Sequence, residues 1–308
     1  MRFGIDLGGT KIEIIALDGS NEVLRHRVPT PQSAYDDTIK AMRDLVLEAD
    51  QKLRMRGTVG VAIPGTISGK TGLVKNANST RLIGHPLDKD LAAAIGRPVR
   101  VANDANCFTL SEASDGAAKG ADVVFGIIVG TGCGGGVSVA GRVLNGPHGI
   151  AGEWGHNPLP APRPDEITAA PKCYCGRTSC IEAWISGTGL AADFKRRTGL
   201  DLHGHAIAEA AAAGDAKAKA VMEDFYDRFA RSLASIVNVL DPDTVVIGGG
   251  LSNIHTLYDE LPPRVERYAF TPEGRTRIVK NAHGDSSGVR GAAWLWSEAE
   301  AAALAKKK

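Results

Sequence analysis

Three stretches in the middle of the chain carry side chains that could act on one substrate. They are Asn103-Asp104-Ala105-Asn106, then Gly130-Thr131-Gly132-Cys133-Gly134-Gly135-Gly136, then Glu153-Trp154-Gly155-His156. A carboxylate between amides suits a base beside a hydroxyl group, and phosphoryl transfer calls for a carboxylate near the attacking oxygen. Asp104 is the candidate base, with Asn103 and Asn106 placed to orient it or the substrate. The same residues would equally serve as a helix N-cap. Glu153, His156 and Glu182 form a second polar group suited to a polyol, because each side chain makes directional hydrogen bonds. Asn78, in Lys75-Asn76-Ala77-Asn78-Ser79, adds a further amide; Asn76 is its equal by chemistry, and both would also serve in a turn.

Three glycine loops each follow an apolar run. Asp6 is followed by Gly8, Gly9, Thr10 and Lys11; Gly130, Thr131, Gly132, Cys133 and Gly134 follow Val123–Val129; Gly248, Gly249 and Gly250 follow Val245–Ile247. Glycine lets backbone N–H groups approach phosphate oxygens and admits positive φ. Asp6 could hold a hydrated Mg²⁺. Neither the GxxxxGK[ST] phosphate loop nor a strand–GxGxxG–helix unit is present, so those two nucleotide folds are not supported. Taken singly, each loop is also a plain hairpin turn.

The elements needed to position these residues follow from periodicity. Residues 2–7, 12–17 and 22–28 read as an antiparallel meander turned at Asp18-Gly19. Helical spacing runs over 33–55 through Ile39, Met42, Leu45, Val46, Ala49 and Leu53. Val59–Ile63 and Val99–Ala102 read as strands, and Leu87–Ile95 and Asn106–Gly116 as helices. The pattern then restarts with strands Val123–Val129 and Gly136–Ala140, helices over 183–240, strand Val245–Ile247 and a final helix Gly288–Ala305. The Pro-rich stretch 158–171 reads as a loop. Two halves that each open strand–Gly turn–strand predict a duplicated α/β fold with a ligand cleft between its domains. Residues 1–117, completed by the helix 288–308, form the smaller domain, and 118–287 the larger.

Cys173-Tyr174-Cys175-Gly176-Arg177-Thr178-Ser179-Cys180 puts three thiols in one Gly-containing loop, with His156 upstream. Three Cys and one His make a closed tetrahedral set for a structural Zn²⁺. A redox cysteine group is the alternative. Such a zinc would order Glu153 and Glu182, which lie within three residues of its ligands.

The 308 residues carry a net charge of +1, and apart from Lys306-Lys307-Lys308 no basic cluster suits nucleic acid as a partner. No apolar run approaches the roughly 20 residues that span a membrane. The N-terminus shows no charged-then-apolar leader, so a cytoplasmic protein with reduced or metal-bound cysteines is expected.

Taken together, these motifs resemble the ROK family (repressors, open reading frames, kinases) of bacterial sugar kinases, in the actin-like ATPase, ribonuclease H-like α/β fold. The signature runs from Val129-Gly130-Thr131-Gly132 through Gly146 and Gly152 to Gly155-His156, followed by the Cys-x-Cys-Gly-x-x-x-Cys motif. The resemblance implies Asp104 as general base. It implies Asn78, Asn103, Asp104, Glu153, His156 and Glu182 at the sugar, the three glycine loops at ATP, and His156, Cys173, Cys175 and Cys180 on zinc. The stretches Val74–Thr80, Ala151–Pro160 and His283–Trp296 are similar to those of fructose-phosphorylating members. That implies ATP- and Mg²⁺-dependent phosphorylation of fructose at its 6-hydroxyl. Mannose, glucose, N-acetylmannosamine and N-acetylglucosamine are the alternative sugars, and a homodimer is implied as well. The family's repressors carry a DNA-binding segment before the first phosphate loop. Here that loop opens at Asp6, so a sugar-responsive regulator is the remote alternative.

Overall fold

Alternating and continuous apolar runs set the main strands of two five-stranded sheets, one group of strands in each compact unit. The computed structural model describes residues 1–77, 79–271, 273–284 and 287–305. The first unit comprises Met1–Lys119, Gly141–Ala151 and Asp285–Lys308, the second Gly120–Ala140 and Gly152–Gly284. The expectation that 118–287 forms one body is corrected at Gly141–Ala151. Within the first unit, Asn106 Nδ2 donates to Asn145 Oδ1 at 3.1 Å and Lys75 Nζ to the His148 carbonyl at 2.7 Å.

In the first unit the strands lie in the order Asn21–Pro29, Lys11–Asp18, Arg2–Leu7, Thr58–Ile63 and Val99–Asn103. The first three pair antiparallel and the last two add in parallel. The second unit repeats the scheme with Cys133–Val139, Val123–Val129, Thr244–Gly248 and Arg277–Lys280, an antiparallel hairpin extended by two parallel strands. A parallel strand needs a crossover, and the helices supply it. Tyr35–Leu53 buries Ile39, Met42, Leu45, Val46 and Ala49 on one face. Ala216–Leu240 buries Phe225, Phe229 and Leu233 in the second unit's core.

The differences from the sequence reading have local causes. Helix Asp104–Ser114 begins two residues early because the Asn103 side chain caps it, accepting from Ala105 N at 2.9 Å. Strand Cys133–Val139 begins three residues early because its ladder reaches Val129↔Cys133. The final helix is two helices, Ser287–Trp294 and Glu298–Ala305. Ser297 restarts it as a capping box, its N donating to Glu300 Oε2 and its Oγ accepting from Glu300 N. The stretch 158–171 holds a short helix, Pro164–Ala169, whose Glu166 is fully buried and accepts from Arg228 and Arg231. Helix Leu257–Tyr268 was illegible because Pro262 and Pro263 sit inside it.

Ser287–Trp294 returns the chain to the first sheet at backbone contact. A Cβ on Gly4 would lie 2.1 Å from the Val289 carbonyl, and one on Gly60 1.9 Å from that of Ala292. On its other side, a Cβ on Gly291 would lie 1.6 Å from the Cys107 carbonyl.

Candidate active site

The candidate residues divide between the two units. In the first, Asp6 is the penultimate residue of strand Arg2–Leu7 and Asp104 opens helix Asp104–Ser114. Asp6 is half-buried, and burial, then the charges of Asp104 and Glu13, push its carboxyl up to about 6. Two carboxylates close enough to perturb each other form a site suited to a cation or a proton transfer. The turn beside them is tied down. Gly8 N donates to Lys11 O at 3.0 Å, Thr30 Oγ1 to Gly8 O at 2.7 Å and Gln32 Nε2 to Gly9 O at 2.9 Å. Gly9, Thr10 and Lys11 are exposed, which leaves this turn open to a ligand.

Asn103, expected at the sugar, has a partner within the unit at each end of its amide. Its Oδ1 accepts from Ala105 N, and its Nδ2 donates to Gly65 O at 3.2 Å. This geometry makes it an anchor for the turn that presents Asp104. Asn76 adopts φ 56°, as a turn residue does. Asn78 lies outside the described residues.

In the second unit two glycine loops meet. Gly249 takes φ 78°, and a Cβ there would lie 2.5 Å from the Val129 carbonyl. The point where a Gly130 Cβ would stand is 4.0 Å from Gly250 N. Helix Gly187–Thr198 starts against the same loop: Gly187 N donates to Gly130 O at 2.7 Å and Thr188 Oγ1 to Thr131 O at 2.7 Å. Ser186 caps this helix by accepting from Gly189 N at 3.0 Å. Sequence reasoning passed over Ser186 and Thr188, although Ser186-Gly187-Thr188-Gly189 before a helical run is a legible N-cap signal.

Glu182 ties this loop to the thiol loop. Its Oε2 accepts from Cys133 N at 2.8 Å, and its Oε1 lies 4.0 Å from Cys173 Sγ. A side chain on Gly132 would meet Glu182 Oε2 at 2.7 Å, so the glycine makes room for the carboxylate. Glu153 is exposed at the start of the short helix Trp154–His156.

His156, Cys173, Cys175 and Cys180 come together as one cluster, their ligand atoms all within 4.8 Å of one another. His156 Nδ1 is 3.6 Å from Cys173 Sγ, and Cys175 Sγ is 3.6 Å from Cys180 Sγ. A tetrahedron with metal–sulfur bonds of about 2.3 Å has edges near 3.8 Å, so the donor set and spacing fit a closed thiolate-rich site. Behind the loop, Trp184 Nε1 donates to Ser179 Oγ at 2.9 Å, and the Arg228 guanidinium lies over the Trp184 ring at 4.3 Å. Arg228 is itself held by Glu166 and Asp193, both at 2.8 Å. Burial alone would raise the Glu166 carboxyl, but bonds from the Arg163 backbone, Arg228 and Arg231 hold it below the ordinary range. The short helix Glu182–Ile185, which carries Glu182, is thus braced from the interior.

A twice-repeated meander-plus-parallel sheet, with glycine turns after its first strands, defines an α/β protein of the actin-like ATPase fold. The chain belongs to the ROK family, whose profile matches residues 2–299. A relative from Pectobacterium atrosepticum, named N-acetyl-D-glucosamine kinase, is 42% identical over 299 residues, spanning 96% of this chain and 98% of the relative. The ROK hexokinase of Thermus thermophilus has a TM-score of 0.85 at 30% identity, with 100% of this chain and 99% of that one covered. A ROK family glucokinase from Streptomyces griseus, solved with glucose and AMPPNP, has a TM-score of 0.74 at 28% identity, covering 96% and 98%.

The fructose subgroup expected from sequence finds no support in these relatives. Two of the stretches behind that expectation build the fold: Ala151–Pro160 carries the thiol-loop histidine, and His283–Trp296 includes the helix seated on Gly4 and Gly60.

Proposed function

We propose that this chain is an ATP-dependent sugar kinase that phosphorylates N-acetyl-D-glucosamine at its primary 6-hydroxyl. The observation that carries the sugar is the 42% identity, over nearly the full length of both chains, to a relative of that name. The chemistry is supported by the carboxylate pair Asp6 and Asp104 and by the glycine loops described above. Asp104 accepts the proton of the attacking hydroxyl as its oxygen meets the γ-phosphorus. Backbone N–H groups of the turns at Gly8–Lys11, Gly130–Gly134 and Gly248–Gly250 hold the nucleotide phosphates. Glu153, His156 and Glu182 orient the sugar through its other hydroxyls. Asp6 would hold Mg²⁺ through water, and His156, Cys173, Cys175 and Cys180 would hold a structural Zn²⁺ that orders the sugar-side loop. Excluding water from the reacting groups prevents hydrolysis of ATP in the sugar's place. This reading puts the protein in the cytoplasm, where ATP is found, as a homodimer by family resemblance. Among the described residues no helix is long and apolar enough to cross a membrane.

The test is ADP release with ATP·Mg²⁺ against N-acetylglucosamine, N-acetylmannosamine, glucose, mannose and fructose, compared by kcat/KM. The expected result is a clear preference for N-acetylglucosamine. Preference for glucose or fructose would replace the sugar and keep the kinase. No turnover with any hexose would reject the kinase reading.

A further inference from the structure

Tyr174 stands between two of the clustered cysteines and is 81% exposed. A ring so open to solvent usually has nothing to hold it, but this one is tethered. Its hydroxyl lies 3.0 Å from His156 Nε2, and the two rings meet edge-on at 5.2 Å between centroids and 82° between planes. The other imidazole nitrogen, Nδ1, faces Cys173 Sγ. A metal bound at Nδ1 would leave the imidazole proton on Nε2, which would then donate to the phenol oxygen. The Tyr174 hydroxyl therefore sits on the imidazole that, with Glu153 and Glu182, was assigned to the sugar.

We propose that Tyr174 is a further residue of the sugar site, whose hydroxyl occupies the His156 Nε2–H in the sugar-free protein and must yield it to a sugar hydroxyl. The proposal rests on the reading of His156 as a sugar contact. One N–H makes one good hydrogen bond, so phenol and sugar compete for it. Apparent sugar affinity then falls by the fraction of protein in which Nε2 is already taken. The position is a tuning point: a residue there without a hydroxyl would leave His156 open.

Tyr174→Phe keeps the ring and removes only the competitor. A single neutral hydrogen bond corresponds to about a 2- to 10-fold change in an equilibrium constant. KM for N-acetylglucosamine, and the calorimetric Kd measured without ATP, should both fall by that factor while zinc content stays at the wild-type level. In the wild type, adding sugar should also shift the tyrosine ultraviolet difference spectrum, and the shift should be absent in Tyr174→Phe. Unchanged or raised KM and Kd, with an active wild type, would overturn the proposal alone. Loss of zinc from the variant would also overturn it, making Tyr174 a support for the metal loop. A wild type that neither binds nor phosphorylates any hexose would overturn the functional reading, and this proposal with it.

Discussion

At the residue scale, the proposed chemistry rests on two acids, Asp6 near the end of strand Arg2–Leu7 and Asp104 at the start of helix Asp104–Ser114. Asp104 heads a helix whose cap is Asn103, so its carboxylate is presented by a fixed turn. Asp104→Asn keeps that turn and removes the base. Turnover should fall ~10²–10⁴-fold, the usual reach of general-base catalysis, while calorimetric sugar binding is kept. Near-normal kcat would remove Asp104 from the mechanism. Asp6 makes a different prediction. Its carboxyl is raised to about 6, chiefly by burial and then by Asp104. The native state thus binds this proton more tightly than the unfolded chain, so ionising Asp6 costs stability as pH rises from about 4 through about 6. Asp6→Asn removes that cost. In metal-free buffer its gain in Tm over wild type should vanish near pH ~4 and be largest above pH ~7. An offset independent of pH would contradict the shift.

Among the elements, the thiol loop and the short helix after it behave as one part. Cys180 precedes Glu182 by two residues, Glu182 holds Cys133 N, and Trp184 is clamped between Ser179 and Arg228. Ser179 takes φ 56° there, a conformation that L-residues rarely adopt, and the Trp184 bond to its hydroxyl helps hold it. On the proposed function, order lost at a zinc in this cluster should therefore reach Glu182. Cys175→Ser, which removes one ligand, is expected to lower zinc content by elemental analysis and to raise the sugar KM. KM for ATP should move less. A zinc-depleted variant with an unchanged sugar KM would separate the metal from sugar binding.

On the scale of the whole molecule, the chain is built twice and then closed on itself. Each unit has its own apolar cluster, one around Phe225 and Phe229, the other around Phe3, Ile5 and Met42. The first unit is completed only by the C-terminal helix, which sits between Gly4 and Gly60 on one side and the Cys107 backbone on the other. Ser287 Oγ also donates to the buried Glu112 at 2.7 Å, and Arg290 pairs with Asp115, fastening that helix to the one headed by Asp104. Gly291→Ala would place a methyl group against a backbone carbonyl that has no room to give. Overpacking of this kind costs about 1–3 kcal/mol, read as a lower Tm and denaturation midpoint. An unshifted melting curve would mean the two helices can part without cost.

The sequence by itself determined the first unit's main strands and helices, the duplicated plan, the glycine loops, the thiol set and the pair Asp6 and Asp104. These are local signals: periodicity, turn chemistry, and ligand types at short spacing. Tertiary structure decided the rest, because it depended on partners far along the chain. That Asn103 caps a helix and anchors its turn depends on Gly65 and Ala105. The helix within the Pro-rich stretch exists because Arg228 and Arg231, more than sixty residues on, satisfy the buried Glu166. The proline-bearing helix Leu257–Tyr268 is held by packing that no local propensity would favour. Glycines 4, 60 and 291 look ordinary in the sequence, and only the folded backbone, brought within a side chain's width, explains why nothing larger stands there.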